Sequence, residues 1–433
     1  MKRLYIFLLG SMLFITACES DLDQFPPNIA SSNSLTDFSG VLNAAYFYQH
    51  GSVTPMAVMG DFRADNALMD EDPYTEFDKF GPNLTVMEDQ FFGPFYTALY
   101  KSILSANTVI ENSSDATQVG EAKFLRALAY FKLTRAFGDV TINLSSTPST
   151  TDGSFLVRQP AADVYNDVII PDLNDAIAAL GTDIVDGRAS KFAAQGMLGK
   201  VYMQLGNFSS AESNLAAVVN GASAAGINLQ GNFADIFGVD NDLNSEIIYA
   251  TQVSSSITDE YGFSEFWSWS GGLDTKSLNP LDPDLVAAFD ASPGDLRRAV
   301  TIDETVMASP KFPQTGGPDH DWIELRLADV ILLYAEALNE NGNTSAALTE
   351  LNKVRTRAGL ANSSASGQVD VRQAIADERR LELAFEGHRW FDLVRTGTVD
   401  AEMGESVNSN YHIFPIPNSE VTAFEEIVQN PGY

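Results

Sequence analysis

Apolar residues recur at helical spacing along most of this chain. Ser34 offers an N-cap for an amphipathic helix running through Gln49, and the same periodicity predicts helices at roughly 88–112, 118–137, 161–180, 190–205, 208–222, 324–341, 344–358 and 368–396. Strand signals are short, with residues 246–251 the best of them. The fold class is therefore mostly α-helical with a few short strands. Leu198, Gly199, Tyr202, Gly206, Phe208, Ala211 and Leu215 match tetratricopeptide spacing, with small residues where two helices cross and bulky ones between them. A second copy runs through Ala335, Leu338, Gly342, Ala347, Leu351 and Val354, and a poorer third ends at Ala136, Phe137 and Gly138. Any antiparallel helix pair favours small residues at its crossing, but two good copies point to stacked helix pairs. Residues 51–95 and 252–322 break the pattern, being rich in Gly, Pro, Asp and aromatics. Long aperiodic segments in a compact domain are where function is sought.

Charge narrows the function. Of 433 residues, 26 are Lys or Arg and 58 are Asp or Glu, a formal net charge of −32. Such a surface repels nucleic acid and anionic membrane, and no local basic patch stands out, so a nucleic-acid role is excluded. The single cysteine, Cys18, permits no intramolecular disulfide and no thiolate metal cluster. Lys2 and Arg3 precede an apolar run at 4–15 that is short for a membrane span. Ile15, Thr16, Ala17 and Cys18 then resemble a bacterial lipobox, cut before a lipid-modified cysteine. The expected layout is a signal peptide at 1–17, an acidic lipid-anchored tether at 18–33, and one domain at 34–433. Within that domain the helix repeats fill about 34–245, and the aromatic loop and charged helices fill about 246–433. Loss of Lys2 and Arg3 takes the net charge from −32 to −34.

Catalytic signatures are missing from the sequence. His50, His320, His388 and His412 lack metalloprotease spacing, and no nucleophile elbow, phosphate loop or dinucleotide fingerprint occurs. Asp240, Asp242, Asn244 and Glu246 alternate like a calcium loop, yet Ser245 and Thr251 stand where the turn glycine and the bidentate glutamate belong. No metal or cofactor is expected. Paired carboxylates for glycoside hydrolysis stay open among 58 acids. The segment 377–392 is dense in charge and aromatics. It reads as scaffold, with Leu381, Phe385 and Trp390 packed inward while Glu378, Glu382 and Glu386 pair with Arg379, Arg380 and Arg389 along a flank; an active-site helix is the other reading.

The segment 261–272 places five aromatics within nine residues and ends in two glycines. Flat rings on such a loop suit stacking on the C–H faces of a sugar, and a strand with alternate rings buried suits the pattern as well. The candidate carbohydrate-binding residues are Trp267, Trp269, Tyr261, Phe266 and Tyr74, with Asp65 as hydroxyl partner. Trp267 and Trp269 share a face on an extended segment, which fits two platforms or a pair packed onto the core.

Several stretches in order across the mature chain resemble the SusD/RagB family: GDFRADN at 60–66, AKFLRALAYF at 122–131, WIELRLADVILLYAEALN at 322–339, ERRLELAFE at 378–386, RWFDLVR at 389–395, FPIP at 414–417 and QNPGY at 429–433. Glu19, Asp21 and Asp23 resemble the export signal of surface lipoproteins in the same bacterial phylum. The resemblance implies a SusD-like fold, with four tetratricopeptide-like helix pairs as scaffold and loop insertions forming the glycan face. It implies a non-catalytic lipoprotein on the outer face of the outer membrane, lidding a SusC-like TonB-dependent transporter and capturing poly- or oligosaccharide for import. The chain is short for the family, which implies trimmed insertions. A peptide-binding lid, a surface glycoside hydrolase and a protein–protein adaptor are the alternatives. The candidate loops set Arg63, Lys79, Lys276 and Lys311 among seven acids, which favours a neutral glycan such as a β-glucan or mannan over a polyanion.

Overall fold

A computed structural model describes residues 35–149, 152–184, 187–262, 266, 281–312 and 320–433. Cys18 and Ser34 lie outside them. The longer helices are α1 Ser39–Phe47, α2 Gly93–Asn112, α3 Ala116–Phe137, α4 Ile170–Ala179, α5 Lys191–Gln204, α6 Phe208–Gly221, α7 Pro283–Asp290, α8 Leu327–Glu340, α9 Thr344–Arg357, α10 Gly367–Leu383 and α11 Arg389–Thr396. Packing follows a continuous path in which α1 lies on α2, α2 on α3, α3 on α4, α4 on α5 and α5 on α6. From there α6 meets α8, and α8 packs on both α9 and α10. This is the stack of helix pairs that the repeat predicts, in a mostly helical protein.

Local chemistry closes the pairs. The α5–α6 and α8–α9 turns share a Gly-Asn dipeptide. Gly206 and Gly342 take positive φ, a conformation that ends a helix cheaply only without a Cβ. Asn207 and Asn343 then cap the next helix by accepting from the Ser210 and Ala346 N–H groups. Asp115 does the same at the α2–α3 turn, taking the Thr117 and Gln118 N–H groups. Of helix α8 only Tyr334 and Glu340 escape full burial, and its Asp329 and Glu336 are ion-paired inside the protein. A helix buried almost all round belongs at the centre of a stack, and α8 is there.

Two expected elements are redrawn. The helix expected to run from 324, and the family-like stretch from 322, begins instead as a strand: β4 (Trp322–Arg326) pairs antiparallel with β3 (Ile247–Thr251). Both strands are buried on both faces, which removes the alternation that would betray them. A second two-stranded sheet joins β1 (Val140–Thr141) to β2 (Arg158–Gln159). The expected helix at 368–396 is two helices, α10 and α11, split by an elbow where Phe385 and Gly387 have φ of 67° and 77°.

The elbow is held from far away in sequence. Asp61 accepts from the N–H groups of Phe385 (3.1 Å) and Gly387 and from Asn66 Nδ2 (2.7 Å). Gly60 meets Gly387 so closely that a Cβ on Gly60 would lie 2.4 Å from the Gly387 carbonyl carbon. Behind the elbow the acids of α10 do not pair with Arg379, Arg380 and Arg389 along the flank as expected; they form a buried lattice with cations from other elements. Arg326 donates to Glu246 (2.8 Å), Glu382 (2.5 Å) and Glu386 (2.7 Å), Lys311 to Glu386 (2.6 Å) and Arg297 to Glu382 (2.9 Å), and Arg297 also forms an ion pair with Glu378 (2.7 Å). Burial alone would raise the Glu382 carboxyl, but Arg357, Arg326 and Arg297 outweigh it and hold it below the usual range. These are the residues of the ERRLELAFE motif, and their work is structural.

Candidate functional site

Tyr261 stands at the described base of the aromatic loop and meets the end of α1. Its ring centroid is 6.4 Å from that of Phe47, and Phe47 is 5.6 Å edge-on from Tyr48. Lys101, on α2, places its ammonium 5.5 Å from the Tyr48 ring centre and 5.9 Å from that of Tyr261, and 3.6 Å from the Glu260 carboxylate. Lys101 and Glu260 have side chains 42% and 49% exposed, and both tyrosines are partly open to solvent. The loop base is fixed below them: His50 Nε2 lies 2.6 Å from the Gln252 carbonyl, and Thr54 Oγ1 donates to the Gly262 carbonyl at 2.9 Å. Burial pushes the Tyr261 phenol up while Lys101 pulls it down, and the hydroxyl oxygen itself is closed off from solvent. The result is a ledge of two mostly buried tyrosines with one cation and one carboxylate at its rim.

Other expected site residues lie elsewhere. Phe266 is fully buried, with ring centroids 6.2 Å from Phe62, 5.4 Å from Phe312 and 5.3 Å from Trp322. It anchors the loop to the core and offers no face to a sugar. Tyr74 is 8% exposed and packs edge-on against Phe91. Asp65 is 4% exposed, with both carboxylate oxygens taken by Arg389 at 2.7 Å and a further contact to Arg380 at 3.1 Å. It is an ion-pair partner for α11, not a free hydroxyl acceptor. Trp267 and Trp269 fall outside the described residues. Two of the loop cations are also withdrawn. Arg63 is buried among Phe80, Trp390 and Phe414, where burial lowers its pKa to about 10, and Lys311 belongs to the lattice under α10.

Phe47, Tyr48 and Lys101 escaped the sequence reading. Each is an ordinary residue on a helical element, and only the tertiary fold sets them beside a loop more than 150 residues later.

The described geometry matches known proteins over nearly the whole chain. A family model described as "SusD family" matches residues 298–433, and one described as "Starch-binding associating with outer membrane" matches residues 18–203. A SusD-like protein of Formosa agariphila is 26% identical across 100% of both chains. The starch-binding protein SusD of Bacteroides thetaiotaomicron is 35% identical over 127 residues, 27% of this chain and 22% of its own. Among solved structures, a laminarin-binding SusD-like protein superposes with a TM-score of 0.75 at 28% identity, covering 92% of this chain and 99% of its own. With matched segments at both ends of the chain and a common fold between them, the protein belongs to the SusD/RagB family.

Proposed function

We propose that this protein is a cell-surface glycan-binding lipoprotein that captures a neutral polysaccharide or oligosaccharide and passes it to a SusC-like TonB-dependent transporter. SusD-like proteins are non-catalytic binding proteins, and this chain is not an enzyme. The starch- and laminarin-binding relatives support a glycan ligand, and the outer-membrane wording of the N-terminal family match supports the location. The observation that carries the reading to particular residues is the Tyr48–Tyr261 ledge, which continues directly into the segment holding Trp267 and Trp269. Aromatic faces suit the apolar C–H faces of pyranose rings, and the rim charges suit their hydroxyls.

A neutral ligand is favoured by the charge count at the ledge. Lys101 is already paired with Glu260 at 3.6 Å, and burial removes Arg63 and Lys311 from any encounter with a ligand. A polyanion would approach a rim whose cation is already paired, on a protein of net charge −32. Lipid on Cys18 would keep the ledge at the outer face of the membrane, above the transporter. The test is a panel of soluble glucans, mannans, alginate and peptides, followed by calorimetry and a reducing-end assay. Binding to a neutral glycan without release of reducing ends supports the proposal. Hydrolysis, or binding confined to alginate or peptides, contradicts it.

A further inference from the structure

Lys132, in α3, is fully removed from water. Burial lowers the pKa of its ammonium, and the Glu324 carboxylate opposes that. All three N–H donors of the ammonium are spent: on Ser52 Oγ at 2.8 Å, on Gln49 Oε1 at 3.2 Å and on the Glu324 carboxylate of β4. The acceptors are themselves oriented. Ser52 Oγ donates to the Gln49 carbonyl at 2.7 Å, and Gln49 Nε2 donates to Ser102 Oγ of α2 at 2.9 Å. Ser102 Oγ donates in turn to the Ala45 carbonyl of α1 at 2.7 Å. On the other side Thr251, the last residue of β3, donates from Oγ1 to the same Glu324 oxygen at 2.7 Å. Gln49, Ser52, Ser102 and Thr251 are buried as well.

Stability alone does not call for such a network. Desolvation offsets most of what a buried ion pair gains, and apolar side chains of similar volume often serve as well or better. A fully satisfied polar network supplies a single arrangement instead, since each bond fixes the direction of the next. The parts arranged here are the two sides of the ledge. Gln49 and Ser52 belong to the turn Tyr48–Ser52, which carries Tyr48. Thr251 ends the strand that leads into the segment 252–262, which carries Tyr261. Lys132 bonds the turn directly and the strand through Glu324. His50 Nε2 at the Gln252 carbonyl and Thr54 Oγ1 at the Gly262 carbonyl then close the two sides on each other.

We propose that Lys132 is a positioning residue of the ledge: from α3 its ammonium holds the Tyr48 turn in register with the Tyr261 segment, and so sets the affinity for the glycan. It touches no ligand itself. Its effect on affinity rests on the glycan reading above; its effect on the position of the turn does not.

The test uses the double variant Lys132→Met/Glu324→Met, which removes both charges together and leaves neither stranded. Its crystal structure is determined, and a soluble β-glucan or mannan is titrated into it by calorimetry beside the wild type. The expected structure shows the Tyr48–Ser52 turn displaced or in more than one position, with the 6.4 Å spacing of the Phe47 and Tyr261 rings lost. The expected affinity is lower by roughly threefold to tenfold, part of what loss of a stacking ring costs, with Tm within about 3 °C of wild type. A merely structural Lys132 would move Tm and leave the affinity of the folded protein alone. An unmoved ledge overturns the proposal, whatever happens to Tm. A ledge that moves without a change of affinity refutes its part in binding. If the wild type itself binds neither glycan, the glycan reading fails, and a displaced turn in the variant still upholds the positioning role. Should the double variant fail to fold, Ser52→Ala takes its place: it removes one of the three acceptors, and a turn that keeps its wild-type position and affinity overturns the proposal.

Discussion

His388 shows how a single side chain is tuned by what surrounds it. Burial and the nearby Lys200 disfavour its protonation, and Asp329 does not compensate, so its pKa falls from 6.5 to about 3. The unfolded chain takes up that proton near pH 6.5 and the folded one refuses it until about pH 3. Stability from the neutral imidazole is therefore full above pH 6.5 and is lost as the pH falls towards 3. From pH 7 to pH 5 the loss is about 2 kcal/mol. His388→Gln keeps the polarity and removes the titration. Chemical denaturation of both proteins at pH 7 and pH 5 should show the gap between them change by that amount in favour of the variant at pH 5. A gap that does not move with pH would show that His388 takes up its proton in the fold as readily as in the unfolded chain. Surroundings also make Asp65 and Asp61 structural: one is committed to Arg389 and Arg380, the other to the N–H groups of the elbow.

Between α10 and α11 the elbow and its buried ions act as a unit. Glu386 accepts from both Lys311 and Arg326, each nearly or fully removed from water. Glu386→Ala leaves two cations facing one fewer carboxylate, and breaking such a buried pair costs about 3–5 kcal/mol. Thermal melting should drop accordingly, while the folded fraction keeps wild-type glycan affinity. Lost affinity at unchanged Tm would move the binding site to this element. The helix pairs were legible in the sequence because their signals are local: Gly206-Asn207 and Gly342-Asn343 carry both the stop and the next cap. Strand β4 was not legible, because a strand buried on both faces shows no alternation and its partner lies some 75 residues away. The ledge proposed to bind glycan was half legible. Tyr261 stood out within an aromatic run, whereas Phe47, Tyr48 and Lys101 become a site only when α1 and α2 are brought to the loop. Phe266 misled for a related reason: on an aromatic loop the ring that anchors and the ring that binds look alike, and only the Phe62–Phe312–Trp322 cluster tells them apart.

For the whole molecule, a net charge of −32 and a sulfur at residue 18 set the working conditions. Such a body gains nothing from an anionic bilayer surface, and the proposed function assigns its attachment to lipid at Cys18. Cys18→Ala should leave the protein in the soluble fraction or as unprocessed precursor, read by fractionation and surface proteolysis of whole cells. A variant still bound at the surface would refute lipid attachment there.

The central claim, that a neutral glycan stacks on the aromatic loop, is tested most directly by calorimetric titration of a soluble β-glucan or mannan into wild type, Trp267→Ala and Trp269→Ala. Loss of a stacking ring should cost about 1–3 kcal/mol, roughly a tenfold or greater weakening, with Tm within about 2 °C of wild type. Wild-type affinity in both folded variants would contradict the account and place the ligand elsewhere on the protein.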